Sequence, residues 1–172
     1  VDGKKDTVIE IRTKSALFNS IADIDPSDNV ILSWTLSPEQ ICAKYEAAAP
    51  PLNSRVNSVK NALERGWQVR LCFDPVLLVD NWLDIYTKFF KELFQNIKGA
   101  DIRDVTVGVF RMNKDYFNKI RKRETRSDIY FSDYAIEEGT VVVESKVREI
   151  AMKKIEDILN EFISKDKILV WK

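Results

Sequence analysis

The chain has 172 residues, with 27 Lys plus Arg against 27 Asp plus Glu, 45% hydrophobic residues, two Cys and no His. This length suits one domain that buries a core without disulfide or metal staples, and 31% charged residues with only five Gly and five Pro exclude a disordered or low-complexity chain. Lack of His removes Ser-His-Asp triads, Cys-His dyads, His general bases and His-ligated zinc, and two Cys cannot complete a four-cysteine zinc site or an iron–sulfur cluster.

No run approaches the roughly eighteen apolar residues of a transmembrane helix, and Val1-Asp2-Gly3-Lys4-Lys5-Asp6 has no apolar signal core. No membrane partner is expected. Cys42 and Cys72 lack disulfide-rich spacing, which points to reduced thiols in a cytoplasmic protein. The chain begins with Val rather than Met, close to a strand-like run, so it reads as a fragment of a longer protein.

Strand and helix signals alternate. Val8 to Ile11 is a β-branched run, and Val30 to Leu36 a second strand. Ser37-Pro38-Glu39-Gln40 predicts a helix start, with Ser at the N-cap, Pro at the first position and Gln closing a capping box. Asn53 is a candidate cap for a helix with an apolar stripe of Val56, Val59 and Leu63, stopped at Gly66. Val69 to Phe73 is a third strand, halted at Asp74-Pro75; residues 81–98 form an amphipathic helix ending at Gly99; Val105 to Phe110 is a fourth strand. Asn113 to Arg123 reads as helical. Ile129-Tyr130-Phe131 and Thr140 to Val143 flank Glu138-Gly139 as a predicted hairpin. A helix over about 145–164, with Val147, Ile150, Ala151, Ile158, Leu159 and Phe162 inward, and a last strand, Ile168 to Trp171, complete the pattern. Alternation of this kind predicts right-handed βαβ units, an α/β fold with a mainly parallel sheet.

A parallel strand covered on both faces is apolar nearly throughout. These strands are not. Glu10, Arg12 and Lys14 share one face of the first; Ser33 and Thr35 lie opposite Leu32, Trp34 and Leu36 in the second. Arg70, Cys72 and Asp74 oppose Val69, Leu71 and Phe73, and Thr106 and Gly108 oppose Val105, Val107 and Val109. One face therefore packs on helices, and the other either lines a ligand cavity or is solvated. Arg12, Lys14, Ser33, Thr35, Cys72 and Asp74 fall towards the carboxyl ends of their strands, where α/β folds place ligands. Cations, hydroxyls and a carboxylate together suit a zwitterionic small molecule carrying a ribose.

The ordered set Glu10-Ile11-Arg12-Thr13-Lys14-Ser15, Ile31 to Glu39, Tyr45-Glu46, Ala49-Pro50, Leu52, Arg55, Leu63 and Gly66 to Pro75 resembles the spore photoproduct lyase family of radical S-adenosylmethionine enzymes. The resemblance covers about residues 7–98, and more weakly 145–172. It implies the second half of a partial (β/α)6 barrel, with helices on one face of the sheet. It also implies one domain over 1–172 within a longer radical enzyme: barrel strands and helices over 7–111, a basic segment and hairpin over 112–144, and a terminal helix and strand over 145–172. Lys14 then looks like the partner of the methionyl carboxylate and Ser33 like a hydroxyl near the methionine, with Arg12 and Asp74 lining the same mouth. An ammonium is a compact partner for a carboxylate, and exclusion of water strengthens the contact. Arg12 and Asp74 pairing with each other is the structural alternative.

The family's Cys-x3-Cys-x2-Cys motif, which holds a [4Fe–4S] cluster, is absent here, as is its cysteine hydrogen-atom donor. Both are expected in the amino-terminal half of the same protein, so this chain alone is expected to be inactive. Cys72 reads as a small buried hydrophobe. Between Arg111 and Arg126 seven basic residues, Arg121, Lys122 and Arg123 among them, stand against two acidic ones. Phosphate contact with DNA and a solvated helix face both fit this patch. DNA-repairing members resemble one another in a hairpin with adjacent Arg and Tyr that wedges beside the lesion. The matching segment here is Tyr130 to Val143, where Tyr134 keeps its type, Asp133 stands in place of Arg, and Glu137-Glu138 makes the turn acidic. Three functions follow: a radical lyase acting on thymine photoproducts in DNA, a non-catalytic nucleic-acid-binding α/β module, or a radical enzyme with a non-DNA substrate.

Overall fold

The computed structural model describes residues 7–171. Five strands, β1 (Ile9–Thr13), β2 (Val30–Thr35), β3 (Gln68–Val76), β4 (Asp104–Val109) and β8 (Ile168–Val170), form one all-parallel sheet in the order β1-β2-β3-β4-β8. Helices α1 (Glu39–Tyr45), α2 (Leu52–Glu64), α3 (Trp82–Asn96) and α5 (Ser145–Leu159) provide the crossovers. Between β4 and α5 the chain makes β5 (Arg111–Asn113), α4 (Lys114–Arg123), β6 (Ala135–Glu137) and β7 (Thr140–Val142). Strands β5, β7 and β6 pair antiparallel as a second, three-stranded sheet.

The period-two pattern decides which face of the large sheet is dry. Leu32, Trp34, Val69, Leu71, Phe73, Val105, Val107 and Val109 meet Val59 and Ala62 of α2, Tyr86, Phe89, Phe90 and Leu93 of α3, and Ala151, Met152, Ile155 and Leu159 of α5. Phe73 meets Phe89 and Phe90 edge-on, with centroids 5.9 and 4.9 Å apart. Edge-to-face aromatic pairs add about 0.5–1.5 kcal/mol beyond area burial, so this cluster locks α3 to the sheet.

Several local expectations are corrected. Ser37 does not cap α1: the N-cap is Pro38, and the Ser37 hydroxyl instead donates to Glu46 Oε1 at 2.9 Å. Likewise α2 starts behind Pro51, not Asn53, and its buried face is Arg55, Ser58, Val59 and Ala62, one position round from the Val56 and Leu63 stripe. Strand β3 continues through Asp74-Pro75 to Val76, taking up Pro, which has no N–H to give, with a register shift between Phe73 and Val76. Ile129-Tyr130-Phe131 is a 3₁₀ turn, not a strand: Ile129 and Tyr130 turn into the cluster with Phe117 and Phe110 while Phe131 stays exposed, and the hairpin partner of β7 is β6. Val147 and Ile150 are exposed at 49% and 58%, since the α5 stripe runs through Ala151, Met152, Ile155 and Leu159 instead. Helix α4 is capped as a helix start should be, with Asn113 Oδ1 accepting from the Asp115 and Tyr116 amides at 3.0 and 3.2 Å. No described helix is long and apolar enough to cross a membrane.

Candidate functional site

Register assembles the site from the opposite face of the sheet. Arg12, Ser33, Arg70 and Asp104 are successive partners across β1, β2, β3 and β4, so their side chains form one row. Thr35, Cys72, Thr106 and Leu169 form the next row towards the carboxyl ends. Lys14 follows β1 directly, and Asp74 lies beyond Cys72 in β3.

The lower row is closed by charge pairing. Arg70 donates to both carboxylate oxygens of Asp104 and lies 2.7 Å from Glu10, and the Asp104 bonds push its pKa upward. Ser33 in the same row is fully buried, yet its hydroxyl has no hydrogen-bond partner among the described residues; the same holds for the 3%-exposed Thr106. Buried polar groups are normally satisfied, so two orphaned hydroxyls on one face mark it as incomplete.

The upper end carries two linked ion-pair clusters. Arg12 reaches over β2: its Nε donates to Thr35 Oγ1 at 3.2 Å, and its guanidinium lies 3.6 Å from the Asp74 carboxylate. Arg111 grips the same carboxylate through two nitrogens, at 3.0 and 3.1 Å. Lys14 Nζ lies 2.8 Å from Glu46, whose other oxygen receives a 2.8 Å bond from Arg55. Arg55 is 0% exposed and also donates to the carbonyls of Thr35 (3.2 Å) and Pro50 (2.9 Å) and to Cys42 Sγ (3.0 Å). Burial alone would raise the Glu46 pKa, but the Lys14 and Arg55 bonds outweigh it and hold the carboxyl below its usual value. Burial pushes both thiols, Cys42 and Cys72, upward.

Arg12, Lys14, Ser33 and Asp74 are thus brought to one face, as their parity predicts. Glu46 and Arg55 are the additions that residue-by-residue reading of the site does not supply. The basic residues Arg121, Lys122 and Arg123 lie elsewhere, exposed on the last turn of α4, and take part in no salt bridge among the described residues. Tyr134 is half-buried against Phe110 and Phe117, and its hydroxyl donates to the Ile129 carbonyl at 2.8 Å; burial pushes its pKa up to about 12. It forms part of the wall of a cavity of about 500 Å³ whose rim carries the Lys44–Asp128 pair at 2.6 Å.

The spore photoproduct lyase family model matches residues 3–144. The chain belongs to the spore photoproduct lyase family. Solved structures of spore photoproduct lyase share its fold. A variant with bound AdoMet and dinucleoside spore photoproduct aligns with TM-score 0.80 at 14% identity, over 95% of this chain and 50% of that one. A second, complexed with dinucleoside spore photoproduct, aligns with TM-score 0.79 at 15% identity over the same shares. This member of the family therefore spans about half the length of the lyase structures it matches. No protein among those with curated descriptions matches its sequence.

Two groups implied by the family can be tested against these residues. A cluster does not fit: both thiols are buried, and Cys42 Sγ is already bonded to the Ser37 carbonyl. A zwitterionic nucleoside does fit. The face offers the orphaned Ser33 hydroxyl, the 39%-exposed Lys14 ammonium, and the Asp74 carboxylate flanked by two guanidinium groups.

Proposed function

We propose that this chain is the carboxyl-terminal part of a spore photoproduct lyase-like radical S-adenosylmethionine enzyme, contributing cofactor and substrate contacts for repair of thymine photoproducts in DNA. The orphaned, fully buried Ser33 hydroxyl, on a sheet face whose opposite side is already the core, carries the reading. Its partner is the amino-terminal half of the same protein, which would complete the barrel and bring the [4Fe–4S] ligands. S-adenosylmethionine supplies a 5′-deoxyadenosyl radical in such an enzyme.

The residues of this chain hold and orient. Lys14 meets the methionyl carboxylate, and Ser33 donates its unused hydroxyl proton beside it. Glu46, anchored by Arg55, keeps Lys14 at the end of β1 instead of free in solvent. Asp74, held by Arg12 and Arg111, presents acceptor oxygens towards an ammonium or a ribose hydroxyl. Such pre-set contacts cost no reorganisation when the ligand arrives. The test is anaerobic reconstitution of the full-length protein with iron and sulfide, followed by reduction with S-adenosylmethionine present. Formation of 5′-deoxyadenosine supports the reading, and its absence overturns it.

A second reading concerns DNA contact alone. Arg121, Lys122 and Arg123 crowd the last turn of α4 without carboxylate partners among the described residues, a cation cluster open to phosphates. With Tyr134 engaged by the Ile129 carbonyl, α4 rather than that tyrosine presents the DNA-facing charge. The acidic turn is partly neutralised, because Glu137 pairs with Arg148 at 3.2 Å.

A further inference from the structure

The last inward-facing residue of the sheet lies outside every role described so far. Trp171 follows β8, and its amide donates to the Val107 carbonyl at 2.8 Å. By alternation with Val170, its side chain falls on the face of Leu169, the register partner of Thr106. The indole is 53% exposed, although most large aromatic side chains of this chain are at least half-buried.

Between Trp171 and Asp74 the sheet has no side chain of its own, because β4 places Gly108 there. A Cβ on Gly108 would stand 2.7 Å from an Arg111 nitrogen and 3.0 Å from Asp74 Oδ1. The missing methyl is what lets the Arg111 guanidinium lie down across the sheet. There it bonds both oxygens of Asp74, and its central carbon lies 6.0 Å from the centre of the Trp171 ring. Planar cation and indole adjoin an open concavity of about 770 Å³, bounded on its far side by Glu138, Thr140 and Val142 of the hairpin. Arg111 thus connects the Asp74 cluster directly to an exposed π face.

We propose that Trp171 and Arg111 form a stacking platform for one base of the substrate, a pyrimidine presented by a DNA strand. The indole offers a flat apolar face, and Arg111 polarises it while leaving hydrogen-bonding edges free for the base. Stacking on aromatic side chains is the standard way proteins hold an unpaired base, and a guanidinium beside the ring adds cation–π attraction. The platform rests on the photoproduct reading given above and extends it to a named contact.

The test uses the full-length enzyme and the dinucleoside spore photoproduct as probe, with affinity measured by calorimetry for wild type, Trp171→Phe and Trp171→Leu. Loss of the π face in Trp171→Leu is expected to weaken binding about 5- to 150-fold, while Trp171→Phe keeps a ring and stays within about fivefold. Circular dichroism identifies any variant that has failed to fold, and at this half-exposed position Trp171→Gln then takes the place of Trp171→Leu. Unchanged affinity in Trp171→Leu overturns the platform and leaves the photoproduct reading standing. A wild-type enzyme that binds S-adenosylmethionine but not the probe overturns both. Probe binding that Trp171→Leu weakens, in a protein with no affinity for S-adenosylmethionine, supports the platform and overturns the cofactor assignment.

Discussion

Lys14 and Glu46 meet at 2.8 Å, one at the end of β1 and the other just past α1, and the completely buried Arg55 holds Glu46 from behind. A surface lysine paired with a surface carboxylate would contribute little. Here the carboxylate is anchored, so the ammonium is positioned on the polar face of the sheet before any ligand reaches it.

Glu46→Gln should therefore do more than remove one surface charge. It leaves Arg55 buried without its counter-ion, and breaking a buried pair from one side costs about 3–5 kcal/mol. Thermal melting of the protein at pH 7 is expected to show a large drop. An unchanged melting temperature would mean that Arg55 is satisfied by carbonyls alone.

Acid sensitivity follows from the same carboxyl. The Glu46 pKa is lowered in the folded protein relative to 4.5, so its stabilisation is present above that value. It is lost as pH falls through the lowered folded pKa, because the unfolded chain binds the proton first. Stability curves of wild type and Glu46→Gln should be fully separated above about pH 5 and approach each other as pH falls below 4.5 and through the lowered folded pKa.

Ser33→Ala separates a structural hydroxyl from a ligand-facing one. Removing a buried hydroxyl that has no partner leaves nothing unsatisfied. Stability should hold or rise slightly, while the full-length enzyme loses about 2- to 10-fold in S-adenosylmethionine affinity, the equivalent of one hydrogen bond. A drop in stability with unchanged cofactor affinity would assign Ser33 to packing.

Gly108→Ala should displace Arg111, since the new methyl would stand 2.7 Å from its guanidinium. Overpacking of this kind costs about 1–3 kcal/mol. In an Arg111→Ala background the same change should cost less, with Asp74 Oδ1 at 3.0 Å the remaining close contact, and a double-mutant cycle reads the difference as coupling. Equal costs in both backgrounds would mean that Asp74, not Arg111, resists the methyl.

Replacing Arg121, Lys122 and Arg123 together by Ala should leave stability within about 0.5 kcal/mol, as expected for exposed positions. Binding of the full-length enzyme to duplex DNA should weaken, and its log-affinity against log-salt slope should flatten by up to about 3 units, roughly 0.9 per lost phosphate contact. An unaltered slope would return α4 to the role of a solvated face.

Much of the sheet was legible because strand periodicity is local. The alternation of Arg12, Ser33, Cys72 and Thr106 with Ile11, Leu32, Leu71 and Val105 identifies the core side and the polar side before any pairing is known. Edge strand β1 departs from it: Ile11 is 50% exposed. The Glu46–Arg55 pair was not legible, because both residues enter the sequence reading only through the family resemblance and nothing in their spacing pairs them. One signal did exist. Arg55 is in phase with Val59 and Ala62, so an arginine on the buried stripe of α2 had to find a carboxylate. The segment 129–131 failed for a different reason: short apolar runs do not distinguish a strand from a turn whose side chains fold inward. There Tyr130 meets Phe117 edge-on with centroids 5.6 Å apart, a contact that sequence spacing does not encode.

Lys14 offers the most direct test, through S-adenosylmethionine affinity of the reconstituted full-length protein, titrated calorimetrically for wild type and Lys14→Met. Loss of a charge-assisted bond of about 1.5–3 kcal/mol predicts roughly 10- to 150-fold weaker binding. Equal affinity in the two proteins would contradict the assignment of this polar sheet face to the cofactor.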